Sequence, residues 1–456
     1  MDVEKIFSLN DEEFLKAIYR ELLGREADAD GLAHFLSILR EKRNSKRFVV
    51  RVIKNSQEYR TRRAKSALPR RVIQNKNLNE EELRAGKTIL ASKPLSFNLD
   101  LIGRCNMNPP CSMCTYRRDT AGPRFHPGLT ADDLRAFGEP IQLAWDVINC
   151  SIGEPLILKD LIPILELLAA WEKPIGLNSN GLALTPELTE KLVPFFEILT
   201  IVFSVDAATP ETYAKIRGDH FLKVIENIAH YCRRRREVIP EGAASKTGLV
   251  MLPMRANRHE VSALIRLAAW LGVDVFELRS LNEIEGDWKV TRDDFVFDYR
   301  EQMLSNEELQ EVFLEAEKTA SECGLILDCQ YQVSENKTHE TFLPEDKWPG
   351  KIKCTQPWHF ILPYQNGDTV GCCYMGKSLG NWRVEGLEAL WNGERMKRLR
   401  GEMAEGKLPE ECRNYISCPV VRANIRPSPG QKKWGRSYFF KPKSFLSSLR
   451  SNQRKK

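Results

Sequence analysis

Three cysteines fall within ten residues of one another in the string Gly103-Arg-Cys105-Asn-Met-Asn-Pro-Pro-Cys111-Ser-Met-Cys114-Thr-Tyr116. Thiolates are soft ligands suited to zinc and to iron–sulfur clusters. Structural zinc asks for a closed shell of four, which this loop lacks unless Cys150 supplies the fourth. A four-iron, four-sulfur cluster held by three thiolates leaves one iron open to a substrate or cofactor, and an open iron is a place for chemistry. A second set of cysteines is more spread: Cys354, Cys372, Cys373, Cys412 and Cys418. Cys150, Cys232, Cys323 and Cys329 are scattered, and an isolated cysteine is ordinarily a small buried hydrophobe. The opening Met-Asp-Val-Glu-Lys shows no export pattern. Twelve cysteines in such a chain imply a reducing, cytoplasmic setting and metal or redox chemistry instead of disulfides.

The first loop must be positioned by what surrounds it. Residues 96–102 alternate as a strand and run straight into Cys105. Further short strands are predicted at 147–152, 175–177, 199–205, 248–252 and 273–278, with helices at 161–171, 186–192, 221–235 and 260–271. Strand–helix alternation means parallel strands joined by crossover helices. The six units fit an α/β fold, a partial parallel barrel or a doubly wound sheet, and in either the ligands sit at the C-terminal ends of the strands. After Leu281 the alternation lapses into a polar and aromatic insertion at 282–300, followed by a helix at 306–320. A strand pair then flanks Gln365-Asn-Gly-Asp, where Asn366-Gly367 signals a tight hairpin, and a helix covers 387–403. At the other end the faces Phe14, Leu15, Ile18, Tyr19, Leu22, Leu23 and Leu32, Phe35, Leu36, Leu39 read as helices, Gly24 closing the first. A third face holds Phe48, Val49, Val52 and Ile53. The expected division is a helical domain at 1–66, a linker at 67–94 with a helical stretch near Glu80, and the partial barrel at 95–305. A connecting helix and small cysteine-rich α+β domain at 306–425 and a basic flexible tail at 426–456 complete it.

The first cysteine string resembles the signature of the radical S-adenosylmethionine superfamily, three cysteines in one loop after the first barrel strand. The resemblance implies that Cys105, Cys111 and Cys114 are the catalytic set, holding a [4Fe–4S] cluster whose open iron is chelated by S-adenosylmethionine. One electron then enters the sulfonium, and the 5′-deoxyadenosyl radical abstracts a substrate hydrogen. Five residues, where three are usual, separate Cys105 from Cys111, and the extra pair includes Pro109 and Pro110. Further pieces follow in order. Gly153-Glu154-Pro155 resembles the Gly-Glu-Pro motif that holds the cofactor's ammonium group. Asn178-Ser-Asn180-Gly181 is similar to the Thr-Asn-Gly turn after the third strand, and Ser204-Val-Asp206 to the segment that contacts the ribose. Arg217 lies in Glu211-Thr-Tyr213-Ala-Lys-Ile-Arg217-Gly218, whose arginine is implied to sit near the site. Arg279 would pair with the cofactor carboxylate, and Met113 would pack on adenine.

The second cysteine set resembles the auxiliary-cluster extension known as SPASM or, in short form, twitch. Cys354-x12-Gly367-x4-Cys372 matches its opening, Leu387-Glu-Ala-Leu390-Trp391-Asn-Gly393 its middle helix, and Cys412-x5-Cys418 its closing pair. The implied ligands Cys354, Cys372, Cys412 and Cys418 suffice for one further [4Fe–4S] cluster, and a saturated one suits electron transfer in a net oxidation. At the front, Leu23-Gly24-Arg25, Asp28-Ala-Asp-Gly31 and Ser56-Gln-Glu58-Tyr59 resemble an uncharacterised bacterial helical domain of the DUF4214 type. That family often accompanies glycan-related and cell-surface proteins.

Composition narrows the alternatives. The 456 residues leave room for about three domains, and 42% hydrophobic with 29% charged residues excludes wholesale disorder. The longest nearly apolar run, 192–203, is interrupted by Glu197 and falls short of the ~20 residues a membrane span needs. The net charge of +6 belongs to the tail: subtracting the nine Lys and Arg between Gln431 and Lys456 leaves −3. A body of that sign does not point to nucleic acid. The resulting expectation is a radical S-adenosylmethionine oxidoreductase acting on a peptide or carbohydrate-type substrate, with a flavodoxin- or ferredoxin-type electron donor as partner. Its rivals are a non-catalytic iron–sulfur or zinc-binding interaction protein and an RNA-modifying radical enzyme.

Overall fold

The periods read from the sequence are realised in a computed structural model. It describes residues 3–23, 25–40, 46–55, 67–114, 128–149, 151, 153–239, 245–279, 281, 289–330, 341–342, 354–373, 375, 377–413, 418–422 and 425–426. Two units are distinguished, Met1–Gln74 and Asn75–Lys456. In the first, helices Asp11–Ile18, Ala29–Arg40 and Lys46–Asn55 bury Phe14, Leu15, Ile18, Phe35, Val49 and Ile53 in one cluster. The side chain of Asn10 caps the first helix, accepting from the Glu13 amide at 3.0 Å. The spacing of Asp28 and Gly31 has a local reason. Asp28 accepts from the Gly31 amide at 2.7 Å, and a Cβ on Gly31 would lie 2.3 Å from the Tyr19 hydroxyl. Gly24, residues 56–59, Cys150 and the tail at 427–456 lie outside the described residues, as does the side chain of Phe48.

The second unit is built on strands β1 (Ser96–Leu99), β2 (Asp146–Asn149), β3 (Ile175–Ser179), β4 (Leu199–Ser204), β5 (Thr247–Met251) and β6 (Val275–Arg279). Beyond them come β7 (Lys289–Arg292), β8 (Phe295–Asp298), β9 (Ile326–Gln330), β10 (Thr341–Phe342) and β11 (Phe360–Pro363). The last are β12 (Asp368–Val370), β13 (Gly380–Asn381) and β14 (Ile425–Arg426). Ten of these form one sheet in the order β13-β12-β11-β1-β2-β3-β4-β5-β6-β9. From β11 to β9 every pairing is parallel; β12 and β13 add antiparallel strands at one flank. The six expected strands are present. Two parallel neighbours extend them: β9 beside β6, and β11 beside β1 with Ser96 opposite Phe360. The cysteine-rich region thus shares the barrel's own sheet.

The two faces of that sheet differ. Leu177, Ile201, Phe203, Leu249, Phe276 and Leu278 are at most 1% exposed and pack under helices Leu161–Ala170, Phe221–Val238 and Val261–Leu271. The opposite face carries Asn178, Val202, Gly248, Glu277 and Arg279. A Cβ on Gly176 would meet nothing within 4 Å, and its register neighbour Ile148, in the middle of the sheet, is 37% exposed. In a closed (βα)8 barrel branched side chains fill the interior. Here part of it stays open.

Residues expected as a linker are ordered. Helix Ala67–Arg84 runs through them, and Asn79 Nδ2 donates to Ser92 Oγ at 2.9 Å and to the Trp358 carbonyl at 2.7 Å. The Glu82 carboxylate accepts from the Ala91 and Ser92 amides, and Trp391 Nε1 donates to the Ser92 carbonyl at 2.8 Å. The helix expected at 387–403 is interrupted: Leu387–Trp391 and Glu394–Ala404 are separate. Asn392 breaks the run because its amide pairs with both backbone groups of Leu90, at 2.8 and 2.9 Å. The insertion after Leu281 contains a β7–β8 hairpin, turned at Asp293 with φ +49°. Among the described residues no helix is long and apolar enough to cross a membrane.

Lys173, 4% exposed before β3, donates to the Ala144 carbonyl at 2.5 Å. Burial pushes its ammonium down to about 8, against the opposing pull of Glu172 and Asp146. Below that pH folded and unfolded chains both carry the proton. Above it the folded chain sheds a proton that the unfolded chain keeps up to its ordinary value, so stability rises with pH. Lys173→Met removes this dependence. Urea midpoints should show wild type gaining about 2 kcal/mol on the variant between about pH 7.5 and about pH 10; a pH-independent gap would contradict it.

Candidate active site

The loop that follows β1 is pinned to the turn that follows β2. The Ile102 carbonyl accepts from the Gly153 amide at 3.2 Å, and the Arg104 carbonyl from the Glu154 amide at 2.7 Å. A Cβ on Gly153 would lie 2.4 Å from the Ile102 carbonyl and 2.3 Å from that of Arg104. Only glycine allows this approach. Cys111 is buried, while Cys105 and Cys114 are half-buried. Burial pushes the Cys105 thiol up to about 11, and the charges of Cys111, Glu154 and Cys114 add to the effect. The three sulfurs therefore occupy one electrostatic neighbourhood. N–H groups address two of them: Asn180 Nδ2 lies 3.6 Å from Cys105 Sγ, and Arg217 Nη1 lies 3.4 Å from Cys111 Sγ.

Elements at the strand ends hold those donors. Glu154, 2% exposed, accepts from Ser179 Oγ at 2.8 Å, the Asn180 amide at 2.7 Å and the Leu156 amide at 3.0 Å. Burial raises its carboxyl despite these bonds. Pro155 is buried and opens the short turn Pro155–Ile157. Asp206 is fully buried beyond β4 at φ +63°. One carboxylate oxygen takes Arg217 at 2.5 and 2.7 Å, the other the Leu252 amide at 2.7 Å, and Asn257 Nδ2 donates to its carbonyl at 2.8 Å. Arg217 caps helix Pro210–Ile216, and the Asp206 and Cys111 charges hold its guanidinium well above the usual range against burial. Met113 is 7% exposed and packs with Met107, Cys111 and Ile216.

The remaining predicted residues lie along the inner face. Arg279 Nη1 donates to Asn178 Oδ1 at 3.2 Å, and its Nε to Glu277 Oε2 at 2.8 Å. Ser204 ends β4, paired in register with Val250. The site thus gathers Cys105, Cys111, Met113, Cys114, Gly153, Glu154, Asp206 and Arg217, with Asn178 and Arg279 in the barrel wall. Sequence reasoning singled out Asn178 where the structure sets Asn180 against the cysteine loop, and it missed Glu277. The signal for Asn180 was Gly181, whose φ of +75° turns the chain sharply after β3.

A second thiol group lies at the flank of the sheet. Cys354 precedes helix Gln356–His359, Cys372 follows β12, and Cys412 sits in helix Glu410–Arg413. Burial pushes Cys412 up to about 12 and Cys354 up to about 11, each raised further by Cys372 and Cys418. These four are half-buried, whereas Cys373 is exposed. Among the described residues no group of three or more His, Cys, Asp and Glu is set to hold a metal ion. A cubane offers separate irons, so its thiolates need not converge on one point. Three thiols, two of them with N–H donors at sulfur, fit a cluster with one open iron, and four thiols fit a saturated one; loading either releases the thiol protons.

Residues 99–268 match the radical SAM superfamily, residues 354–419 the iron–sulfur cluster-binding domain SPASM, and residues 4–62 a domain of unknown function, DUF4214. No curated protein matches the chain in sequence. Among solved structures, Streptococcus suis SuiB bound to S-adenosylmethionine is similar at 14% identity, covering 86% of this chain and 84% of that one with a TM-score of 0.54. SuiB bound to precursor peptide SuiA is similar at 14% identity over 77% and 74% of the chains, with a TM-score of 0.52. At these identities the likeness is one of fold.

Proposed function

We propose that this chain, which belongs to the radical S-adenosylmethionine superfamily and carries a C-terminal iron–sulfur cluster-binding domain, abstracts hydrogen from a peptide as the first step of a net oxidation. The observation that carries the reading is the meeting of the three-cysteine loop with the buried Asp206–Arg217 pair at the C-terminal ends of the strands. When bound, the open [4Fe–4S] cluster and S-adenosylmethionine supply a one-electron cleavage of the sulfonium and the 5′-deoxyadenosyl radical.

The chain's own groups supply the rest. Cys105, Cys111 and Cys114 would anchor the cluster, and Arg217 would temper the negative charge at Cys111. Gly153, Glu154, Ser204 and Met113 would be the residues to meet the cofactor. Asn178, Glu277 and Arg279 give the open inner face a polar wall able to orient a peptide's amide or side-chain groups. Cys354, Cys372, Cys412 and Cys418 would saturate an auxiliary cluster, suiting it to carry an electron away from the oxidised substrate. A flavodoxin or ferredoxin in a reducing cytoplasm would supply the first electron. A peptide is favoured because a protein of this fold is seen with a precursor peptide bound.

Anaerobically reconstituted protein should take up about eight irons per chain, four for each cluster. It should release 5′-deoxyadenosine under dithionite. With deuterated candidate peptides, the label should pass into 5′-deoxyadenosine and the peptide should lose a hydrogen pair by mass. Turnover that never carries peptide deuterium would reject the peptide.

A further inference from the structure

We propose that the β7–β8 hairpin and Tyr299 form a clasp on the expanded cysteine loop, with Arg292 and Tyr299 as positioning residues for the cluster ligands; the proposal rests on reading that loop as the cluster site. Residues 105–114 form no strand or helix of their own. Their order comes from ties to other segments. Ser112 donates through its amide to the Ile216 carbonyl at 2.8 Å and through Oγ to the Lys215 carbonyl at 2.9 Å. Asn180, Arg217 and His220 reach Cys105, Cys111 and the Asn108 carbonyl, and two further ties come from the hairpin and the residue that follows it. Arg292 Nη2 donates to the Pro110 carbonyl, and the Tyr299 hydroxyl donates to the Met113 carbonyl.

Those two carbonyls have a shared place in the chain. Pro110 immediately precedes Cys111, and Met113 immediately precedes Cys114. Fixing the peptide before a cysteine fixes its Cα, and with it the arc its sulfur can reach. Arg292 also spans to the end of helix Pro210–Ile216, its Nη1 donating to the Ala214 carbonyl at 3.1 Å. It therefore bolts the loop to the segment that carries Arg217. Packing supports the bolt. Tyr299, 4% exposed, meets Phe297 edge-on at 4.9 Å, and both join Met107, Cys111 and Met113 in one apolar cluster. A lone two-stranded hairpin is marginal in water, so the ties order both partners. The pair of residues that lengthens the loop adds freedom that such ties remove.

The test uses the full chain, reconstituted without oxygen, as wild type, Tyr299→Phe, Arg292→Lys, Arg292→Ala and Val296→Ala. Val296 lies on the hairpin but is 45% exposed. Iron loss to a chelator is followed in time, and electron paramagnetic resonance of the reduced protein is recorded with and without S-adenosylmethionine. Iron held by the Cys354 group serves as an internal reference, since the clasp bonds described above go to the first cysteine loop and to helix Pro210–Ile216. Tyr299→Phe and both Arg292 variants should lose first-site iron about tenfold faster, the scale of one lost buried hydrogen bond. Their spectral response to S-adenosylmethionine should weaken, while the reference iron and Val296→Ala follow wild type. Lysine should not rescue, because one ammonium cannot span both carbonyls. The clasp is overturned by variants that keep wild-type iron loss and spectra, by full rescue with lysine, or by equal loss in Val296→Ala. Wild type that binds no first-site iron would overturn the cluster reading itself, and the clasp with it.

Discussion

Cys111→Ala should abolish 5′-deoxyadenosine release and cut bound iron from about eight to about four per chain, one cubane's worth. Cys111 is the only buried thiol of its loop and the one that Arg217 addresses at 3.4 Å. Two thiols cannot anchor a cubane in a loop lacking secondary structure, so loss of the cluster should be complete. The fold should survive. Arg217 keeps its ion pair with Asp206, and the Met107–Tyr299 cluster exchanges a sulfur for a methyl-sized gap. The Cys354 group is untouched, so the remaining iron should keep its spectrum. Iron assay, electron paramagnetic resonance and chromatography of the nucleoside decide the matter together. Full iron with undiminished release would mean that another group ligates and that the three-thiol reading is wrong.

Much of this site was legible because its chemistry is local in sequence. Three thiols in ten residues, after an alternating strand, announce a ligand loop whatever the tertiary structure. The strands were legible for a similar reason: Leu199–Ser204 and Thr247–Met251 are too apolar to lie anywhere but under helices. What stayed hidden depends on partners distant in the chain. The pairing of β1 with β11 joins segments with no common local signal, since parallel register has no turn to set it. The hairpin passed as a polar and aromatic insertion because its strands are short and Asp293-Asp294 reads as loop, although Phe295-Val-Phe is rich in strand-favouring residues. The sequence singled out Asp206 as a candidate but did not reveal its posture. Nothing in Ser204-Val-Asp206 foretells a left-handed backbone or a carboxylate engaged on both oxygens.

That posture makes a prediction of its own. Asp206→Asn should slow 5′-deoxyadenosine release about a hundredfold, the rate equivalent of the ~3 kcal/mol lost when one partner of a buried ion pair is removed. Asparagine tolerates the left-handed conformation and can still accept from the Leu252 amide, so the substitution isolates the charge and the hold on Arg217. Arg217→Met should fall at least as far, because it also removes the donor to Cys111 and strands the Asp206 carboxylate. The double variant separates two roles for the aspartate. If Asp206 works by aiming Arg217, then Asp206→Asn costs nothing further once the arginine is gone and neutralises the stranded carboxylate, so the double variant is no slower than Arg217→Met. If instead Asp206 meets the cofactor ribose directly, the two losses multiply. The fully engaged carboxylate favours the first outcome.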